Sequence, residues 1–205
     1  MTKAPDSQNT DINVQRTAAL DAIFGRHALH FPSPVPFWLG GDATILAYEE
    51  YLPNQVVYIT SEMTGGCGTG QKPGQHGEFE LVMVLPKGSR LAPTPTANGV
   101  VRKGWLGVTL HGFAKYSTQA TIAPGDVAGP LPDAFLPHTH LIFIELNIDN
   151  PMFAFGGKQY GLMLLMSIHE SERRFCEVHG ATALTAKLRK AGVFPVTDPT
   201  RNSVV

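Results

Sequence analysis

Five short segments rich in β-branched, aromatic and aliphatic residues are the feature that most constrains the fold of this 205-residue chain. They are Thr44–Tyr48, Gln55–Thr60, Glu78–Leu85, Leu141–Ile148 and Gly161–Ile168. Turn-forming residues such as Pro53 and Pro86 bound them, which is the pattern typical of β-strands. The first three follow one another at short spacing. Because short connections join antiparallel neighbours, the sequence predicts a largely antiparallel sheet.

Helical patterns flank these strands on both sides. Apolar residues at helical spacing predict a first helix that begins at Ile12. Two more helices are predicted at Glu170–His179 and Ala181–Ala191, each followed by a glycine, Gly180 or Gly192, where the left-handed conformation ends helices. With strands in the middle, helices at both ends and no internal repeat or linker, the sequence predicts an α+β domain with a mixed, largely antiparallel sheet flanked by helices.

The domain is expected to span residues 12–205, because a chain of this length fits one hydrophobic core. Residues 1–11 are small, polar and proline-interrupted, and are predicted to be a disordered leader. The first ten residues lack the apolar stretch of a secretion signal. No apolar run approaches the ~20 residues that cross a bilayer. These patterns predict a cytoplasmic protein.

The composition excludes several classes of protein. Hydrophobic residues make up 43% of the chain, enough for a sizeable core, so wholesale disorder is excluded. Sixteen Lys and Arg against 17 Asp and Glu give a net charge of −1, which argues against electrostatic binding to nucleic acid or to a membrane surface. Cys67 and Cys176 form no C-x-x-C motif and are expected to be free thiols in a reducing compartment.

Periodicity does not assign the segment Val100–Tyr116. Val101, Trp105 and Val108 begin a stripe with helical spacing. Leu106 alternates with the residues two and four positions later, as in a strand. Both conformations stay open on periodicity alone. In either case we expect Trp105 to be buried, in contact with Val108 or Tyr116.

His138, His140 and Glu145 form the strongest candidate for a metal site. Two histidines two positions apart share one face of a strand, and with a carboxylate they could hold a divalent metal, as in part of the cupin signature. However, Glu145 lies an odd number of residues from His140 and is expected on the opposite face. The glycines and the second histidine motif of cupins are also missing. A metal-dependent, cupin-like enzyme is therefore the alternative reading, and no bound metal or cofactor is expected.

The glycine-rich stretch Gly65–Lys72 has the G-x-x-x-x-G spacing of a phosphate-binding loop. Gln71 displaces the lysine by one position, and Pro73 and Gly74 stand where a helix should begin. The phosphate interpretation therefore fails. We expect residues 64–75 to be a mobile, exposed loop because its glycines are costly to order.

No catalytic nucleophile stands out. Ser61 and Ser167 lack the G-x-S-x-G motif of a nucleophile elbow, and Cys67 with His76 is too little to propose a catalytic pair. The acidic residues in or beside the predicted strands are expected to be solvated. They are Glu49, Glu50, Glu78 and Glu80.

The order of several short motifs resembles the Suppressor-of-fused-like domain family, over about residues 30–195. The motifs are Phe37-Trp38, Gln55–Thr60 with Ser61-Glu62-Met63, Gly77-Glu78-Phe79-Glu80-Leu81, Gly104-Trp105-Leu106, Phe113-Ala114-Lys115-Tyr116, Gly125-Asp126, Gly129-Pro130-Leu131, and Tyr160–Ile168 with His169-Glu170-Ser171-Glu172. The resemblance implies a helix at Trp105. The chain lacks the second domain of the animal proteins, so it looks like the stand-alone bacterial type.

This resemblance implies a non-catalytic protein-binding module with no catalytic residues to transfer. Stand-alone bacterial members resemble immunity proteins that bind and neutralise a polymorphic toxin, so the expected partner is another protein, possibly such a toxin. The partner-binding residues are unknown. Exposed aromatic residues would be the first candidates, namely Phe135, Phe153 and Phe155, although core packing of these residues is the more frequent outcome.

Overall fold

The computed structural model describes residues 5–33, 35, 37–65, 71–72, 77–95, 101–102, 104–131, 139–146 and 153–205. Within them, the helices are α1 (Pro5–Phe24), α2 (Gly104–Ser117), α3 (Glu170–His179) and α4 (Ala181–Lys190), with a single 3-10 turn at Phe37–Leu39. The strands are β1 (Leu29–Phe31), β2 (Ile45–Tyr48), β3 (Gln55–Thr60), β4 (Phe79–Pro86), β5 (Thr94–Pro95), β6 (Val101–Arg102), β7 (Val127–Ala128), β8 (Thr139–Glu145), β9 (Phe153–Phe155) and β10 (Lys158–His169).

Eight of these strands form one sheet in the order β1-β2-β3-β4-β10-β8-β7, with β9 paired to the beginning of β10. Neighbours are antiparallel, except that β4 and β10 are parallel at the centre. The short β5 and β6 form a separate antiparallel ribbon. The predicted α+β domain with a mixed, largely antiparallel sheet is confirmed.

Both faces of the sheet are covered, which explains why its central strands are mostly apolar and do not alternate with polar residues. Side chains on one face, such as Leu81 and Leu165, pack against Leu106 and Leu110 of α2. The other face packs against α1, α3 and α4, through residues that include Leu20 and Leu184. A strand buried on both sides loses the alternating pattern, because neither set of side chains meets water.

The ambiguous segment around Trp105 is a helix, as the resemblance implies. Trp105 is buried at 7% exposure, which confirms its predicted burial. The predicted neighbours Val108 and Tyr116 are exposed and do not belong to the core cluster that contains Trp105. Trp105 belongs instead to the core between α2 and the sheet, on the face that also carries Leu106 and Leu110. In a helix, only the apolar residues that fall on the face turned towards the sheet are buried, and the other apolar residues of the segment stay exposed.

Helix α1 begins earlier than the apolar pattern predicts. It starts at Pro5 instead of Ile12, so residues 5–11 of the predicted disordered leader are helical. Proline suits the first position of a helix because its φ is already helical and its missing N–H needs no partner there. The polar residues that follow can therefore extend the helix without an apolar face. No described helix is both long and apolar enough to cross a membrane.

We nevertheless propose that the stable domain begins near residue 12. Among the described contacts of α1, core packing starts at Ile12, and Arg16 and Leu20 are buried. Deleting residues 1–10 is expected to shift the thermal midpoint by about 2 °C or less, the scale of an ordinary surface change. Calorimetry would measure the shift. Deletion of residues 1–16 is the control and should cause a much larger loss, and equal losses from both deletions would contradict this boundary.

Helices α3 and α4 form a hairpin around Gly180. Gly180 has φ 84° and ψ 160°, an extended conformation with positive φ that only glycine adopts readily. The predicted left-handed cap at this position is therefore an extended turn. Cys176 of α3 and Leu184 and Leu188 of α4 are buried against the sheet. The turn lets both helices pack on the same face.

Residues 193–205, called here the C-terminal segment, complete the sheet at its centre. Val196 forms a parallel bridge with Val84 of β4, and Thr197 N donates to Val84 O at 2.8 Å. On the other side, Thr197 Oγ1 donates to Leu165 O at 3.1 Å and accepts from Ser167 N at 3.3 Å. Paired register between β4 and β10 ends at Leu164. The C-terminal segment thus bridges the two strands beyond the point where their own pairing stops.

Candidate functional site

Strand β8 carries His140 and Glu145 on opposite faces of the sheet, as their odd spacing predicts. His140 alternates in phase with Ile142 and Ile144, which pack in the core under α3 and α4. Glu145 is in phase with Phe143, in the core under α2. These two residues therefore do not converge on one cupin-like site, and His138 lies outside the described residues. Within the described ranges, no three His, Cys, Asp or Glu side chains lie close enough to hold a metal.

The glycine-rich stretch is described only at its ends. Cys67 and His76 lie outside the described residues. Thr64 and Gln71 are buried, so the prediction of an exposed loop is wrong for both. The Gln71 side chain accepts from Phe79 N and donates to Phe79 O, each at 3.1 Å. This amide thereby satisfies the backbone at the first residue of β4 and is fixed against the sheet.

Glu80 is completely buried, so its predicted solvation is wrong. Strand β4 lies between β3 and β10 with helices on both faces, which leaves its side chains no route to water. One carboxylate oxygen accepts from Met63 N at 3.0 Å and from Thr64 N and Oγ1 at 3.0 and 2.8 Å. The other accepts from Thr60 Oγ1 at 2.6 Å. Glu80 therefore organises the turn that follows β3.

Arg16 of α1 is the buried counter-charge of Glu80. Its Nε lies 3.5 Å from Glu80 Oε1, and the side chains are 1% and 0% exposed. The guanidinium also donates to Ser61 O and Thr64 O, and it lies over the Phe155 ring, 5.5 Å from the centroid. Burial raises the pKa of Glu80 to about 7, against the opposing effects of Arg16 and the hydrogen bonds. This pair ties α1 to the centre of the sheet.

The candidate nucleophiles occupy structural positions. Ser61 and Ser167 are buried, and the carbonyl of Ser61 accepts from Arg16. Cys176 is a free, buried thiol whose pKa is raised by burial. Phe153 and Phe155 are buried at 1% and 8% exposure, so these two residues are core and not exposed candidates for binding. Phe135 lies outside the described residues.

Glu170 is the centre of a second polar cluster, at the beginning of α3. Its Oε2 lies 2.8 Å from His140 Nε2, and both of its oxygens accept from Arg173 at 2.8 Å. Oε1 also accepts from Arg174 Nε at 2.8 Å. These hydrogen bonds, with the two positive charges, hold the pKa of Glu170 far below its usual range. The carboxylate thus joins the beginning of β8 to two arginines at the surface.

A cavity of about 490 Å³ opens beside this cluster, between Gly129-Pro130, His140 and the arginines of α3. His140 is 5% exposed, and its Nδ1 has no hydrogen-bond partner among the described residues. A Cβ at position 129 would lie 2.8 Å from this nitrogen, and Gly129 has φ 136°. Glycine is therefore required here both for its conformation and for the close approach of the imidazole.

Sequence reasoning missed the two buried ion pairs that fix the termini. Arg16 shares the inner face of α1 with Leu20, four residues later, and this spacing was the available signal. Glu172 is buried and receives two hydrogen bonds of 2.7 Å from Arg201, one on each oxygen. Local sequence at the beginning of α3 does not predict that Glu172 is buried, because its partner Arg201 lies 29 residues away.

The sheet between helical layers, with its buried charges engaged in joining the elements, defines a single-domain α+β scaffold. This chain belongs to the Suppressor of fused family: the family model described as Suppressor of fused protein (SUFU) matches residues 43–202. No curated protein matches the sequence.

Solved structures agree with this assignment at the level of the fold. The Sufu–Fu complex crystal structure is 15% identical, covers 92% of this chain and 90% of its own, and has a TM-score of 0.67. A putative SUFU homolog from Neisseria gonorrhoeae is 17% identical, with 96% and 98% covered and a TM-score of 0.64. Drosophila Suppressor of Fused is 16% identical with a TM-score of 0.66, and the match covers 92% of this chain but 50% of that longer one.

Proposed function

We propose that this protein acts by stoichiometric binding to another protein and has no catalytic turnover. More specifically, we propose a bacterial immunity-type protein that binds and neutralises a partner toxin in the cytoplasm, without a cofactor and without binding nucleic acid or membranes. The observation that carries the binding role is membership of a family in which one similar structure was solved as the Sufu–Fu complex.

The bacterial homolog supports the bacterial part of the proposal. The Neisseria structure is matched over 98% of its length, whereas only half of the Drosophila chain is matched. A domain of this size can function as a binding module with a rigid scaffold and a contact patch of about 800 Å². The buried pairs Arg16–Glu80 and Arg201–Glu172 favour such rigidity, since each connects a terminal part of the chain to the sheet.

Co-expression with the product of the neighbouring gene tests this proposal. The expected result is a one-to-one complex, measured by light scattering after size-exclusion chromatography, and survival of cells that the neighbouring product alone would kill. An unrelated toxin expressed at the same level is the control, because its toxicity should persist. Absence of a complex, or turnover of a small molecule that one point substitution abolishes, would overturn the proposal.

A further inference from the structure

The α3–α4 hairpin presents a basic surface on a chain whose net charge is −1. Five basic side chains of these helices reach the surface: Arg173, Arg174, Lys187, Arg189 and Lys190. They face two surface carboxylates, Glu170 and Glu177, since Glu172 is buried in its pair with Arg201. A local excess of positive charge on a nearly neutral protein attracts an acidic partner and orients its approach.

The cavity beside Glu170 offers one of these arginines as an anchor. Arg174 is 72% exposed and uses Nε to bind Glu170. Its two terminal nitrogens make no hydrogen bond within the described part of the chain. They form a planar pair of donors, which is the geometry that a carboxylate matches best. Glu170 positions this arginine at the mouth of a cavity whose wall contains the buried His140 with its unpartnered Nδ1.

A second cavity lies at the other end of β8, beside α4. It has a volume of about 390 Å³ and is lined by Glu145, Thr182, Thr185 and Arg189 among others. Gly125 and Ala181, where an added Cβ would approach to 3.1 Å, both line this second cavity. His140 and Glu145, which line one cavity each, are five residues apart on β8, a rise of about 17 Å along the strand.

We propose that the basic face formed by α3, α4 and these two cavities is the docking surface for the partner protein. The partner presents an acidic segment, and one of its Asp or Glu carboxylates enters the cavity beside Arg174. A segment of five or six extended residues matches the rise along β8 between His140 and Glu145. This inference rests on the proposed binding function and adds the surface and the charge of the partner. Arginine is among the residues that most often act as energetic anchors of interfaces.

A labelled peptide tests the surface without the natural partner. The probe is a fluorescein-labelled eight-residue peptide of alternating Glu and Ser, titrated by fluorescence anisotropy at about 50 mM salt, where charge attraction is least screened. We expect saturable binding that the charge-reversed double variant Arg174→Glu/Lys190→Glu weakens by at least ~10-fold. The matched control Arg26→Glu/Lys158→Glu changes the net charge equally at exposed sites outside α3 and α4 and should alter affinity by less than ~2-fold.

Three outcomes would overturn the inference: equal weakening in both double variants, equal affinity for a Lys/Ser peptide, or a clear preference for a short DNA duplex. The natural complex separates this inference from the proposed function. If the complex forms but the Arg174→Glu/Lys190→Glu variant binds as tightly as the unmodified protein, the surface is wrong and the binding function stands. If no complex forms while the peptide binds as expected, the proposed partner is wrong and the acidic-segment site stands.

Discussion

Replacing Arg16 with Met is expected to lower the free energy of unfolding by about 3–5 kcal/mol, the range for removing one member of a buried ion pair. The substitution leaves the Glu80 carboxylate fully buried without its counter-charge. It also removes the donor that Ser61 O and Thr64 O share. Urea denaturation measures the loss, and Arg26→Met at an exposed position is the control, with an expected change below about 0.5 kcal/mol.

The pH dependence of this loss gives an independent check. The folded-state pKa of Glu80 is raised to about 7 from 4.5, so its contribution to stability is present below about pH 4.5 and is lost as the pH rises through 7. Arg16 opposes this rise, and its removal moves the pKa higher still. The destabilisation by Arg16→Met should therefore be larger at pH 8 than at pH 5. A loss that is below 1 kcal/mol or equal at both pH values would contradict the role of this pair.

Replacing Arg201 with Met is expected to cost about 3–5 kcal/mol for the same physical reason at the other end of the chain. Arg201 donates to both oxygens of the buried Glu172 and to Ser167 O. Burial by itself would raise the pKa of Glu172, but the hydrogen bonds from Arg201 and from the backbone lower it. This contribution is therefore present above the ordinary pKa of 4.5 and is lost on acidification.

Arg174→Met is the matched control for Arg201→Met. Both arginines bind a glutamate of the first turn of α3, but Arg174 is 72% exposed and Arg201 is 7% exposed. Exposed pairs contribute less than about 1 kcal/mol, because water solvates the separated charges. Urea denaturation at pH 7 and at pH 4 measures both variants, and the loss from Arg201→Met should shrink at the lower pH. Similar losses for the two variants would show that burial does not distinguish these pairs.

The sequence predicts the strands and helices correctly where local patterns determine the backbone conformation. Strand β3 and helix α3 have the predicted bounds, and β4 is shifted by one residue. Strand β8 begins two residues earlier than predicted, at Thr139. Periodicity could not assign α2. Over a short apolar segment, the residues that will be buried match the helical spacing and the alternating spacing of a strand equally well.

The polar clusters could not be predicted, because each depends on contacts between distant residues. Glu80 looks like the solvated residue of an alternating strand until the pairing of β4 with β10 buries it. The sequence makes His140 a candidate metal ligand, whereas in the structure it contacts Glu170, thirty positions later. Local sequence defines neither contact. The fold determines which charged side chains lose water, and burial then determines which of them must be paired.

The bridge formed by the C-terminal segment also has a consequence for the order of events during synthesis. Val84 of β4 forms its bridge with Val196 and accepts its hydrogen bond from Thr197 N, residues made more than a hundred positions later. At a translation rate of about 5–20 residues per second, this edge of β4 stays unpaired for roughly 5–20 s before that partner is synthesised. Contacts of such long range slow folding, because a large loop must close before they form. Nascent chains are therefore expected to expose an apolar strand edge, which favours aggregation and chaperone binding until the C-terminal segment has been made.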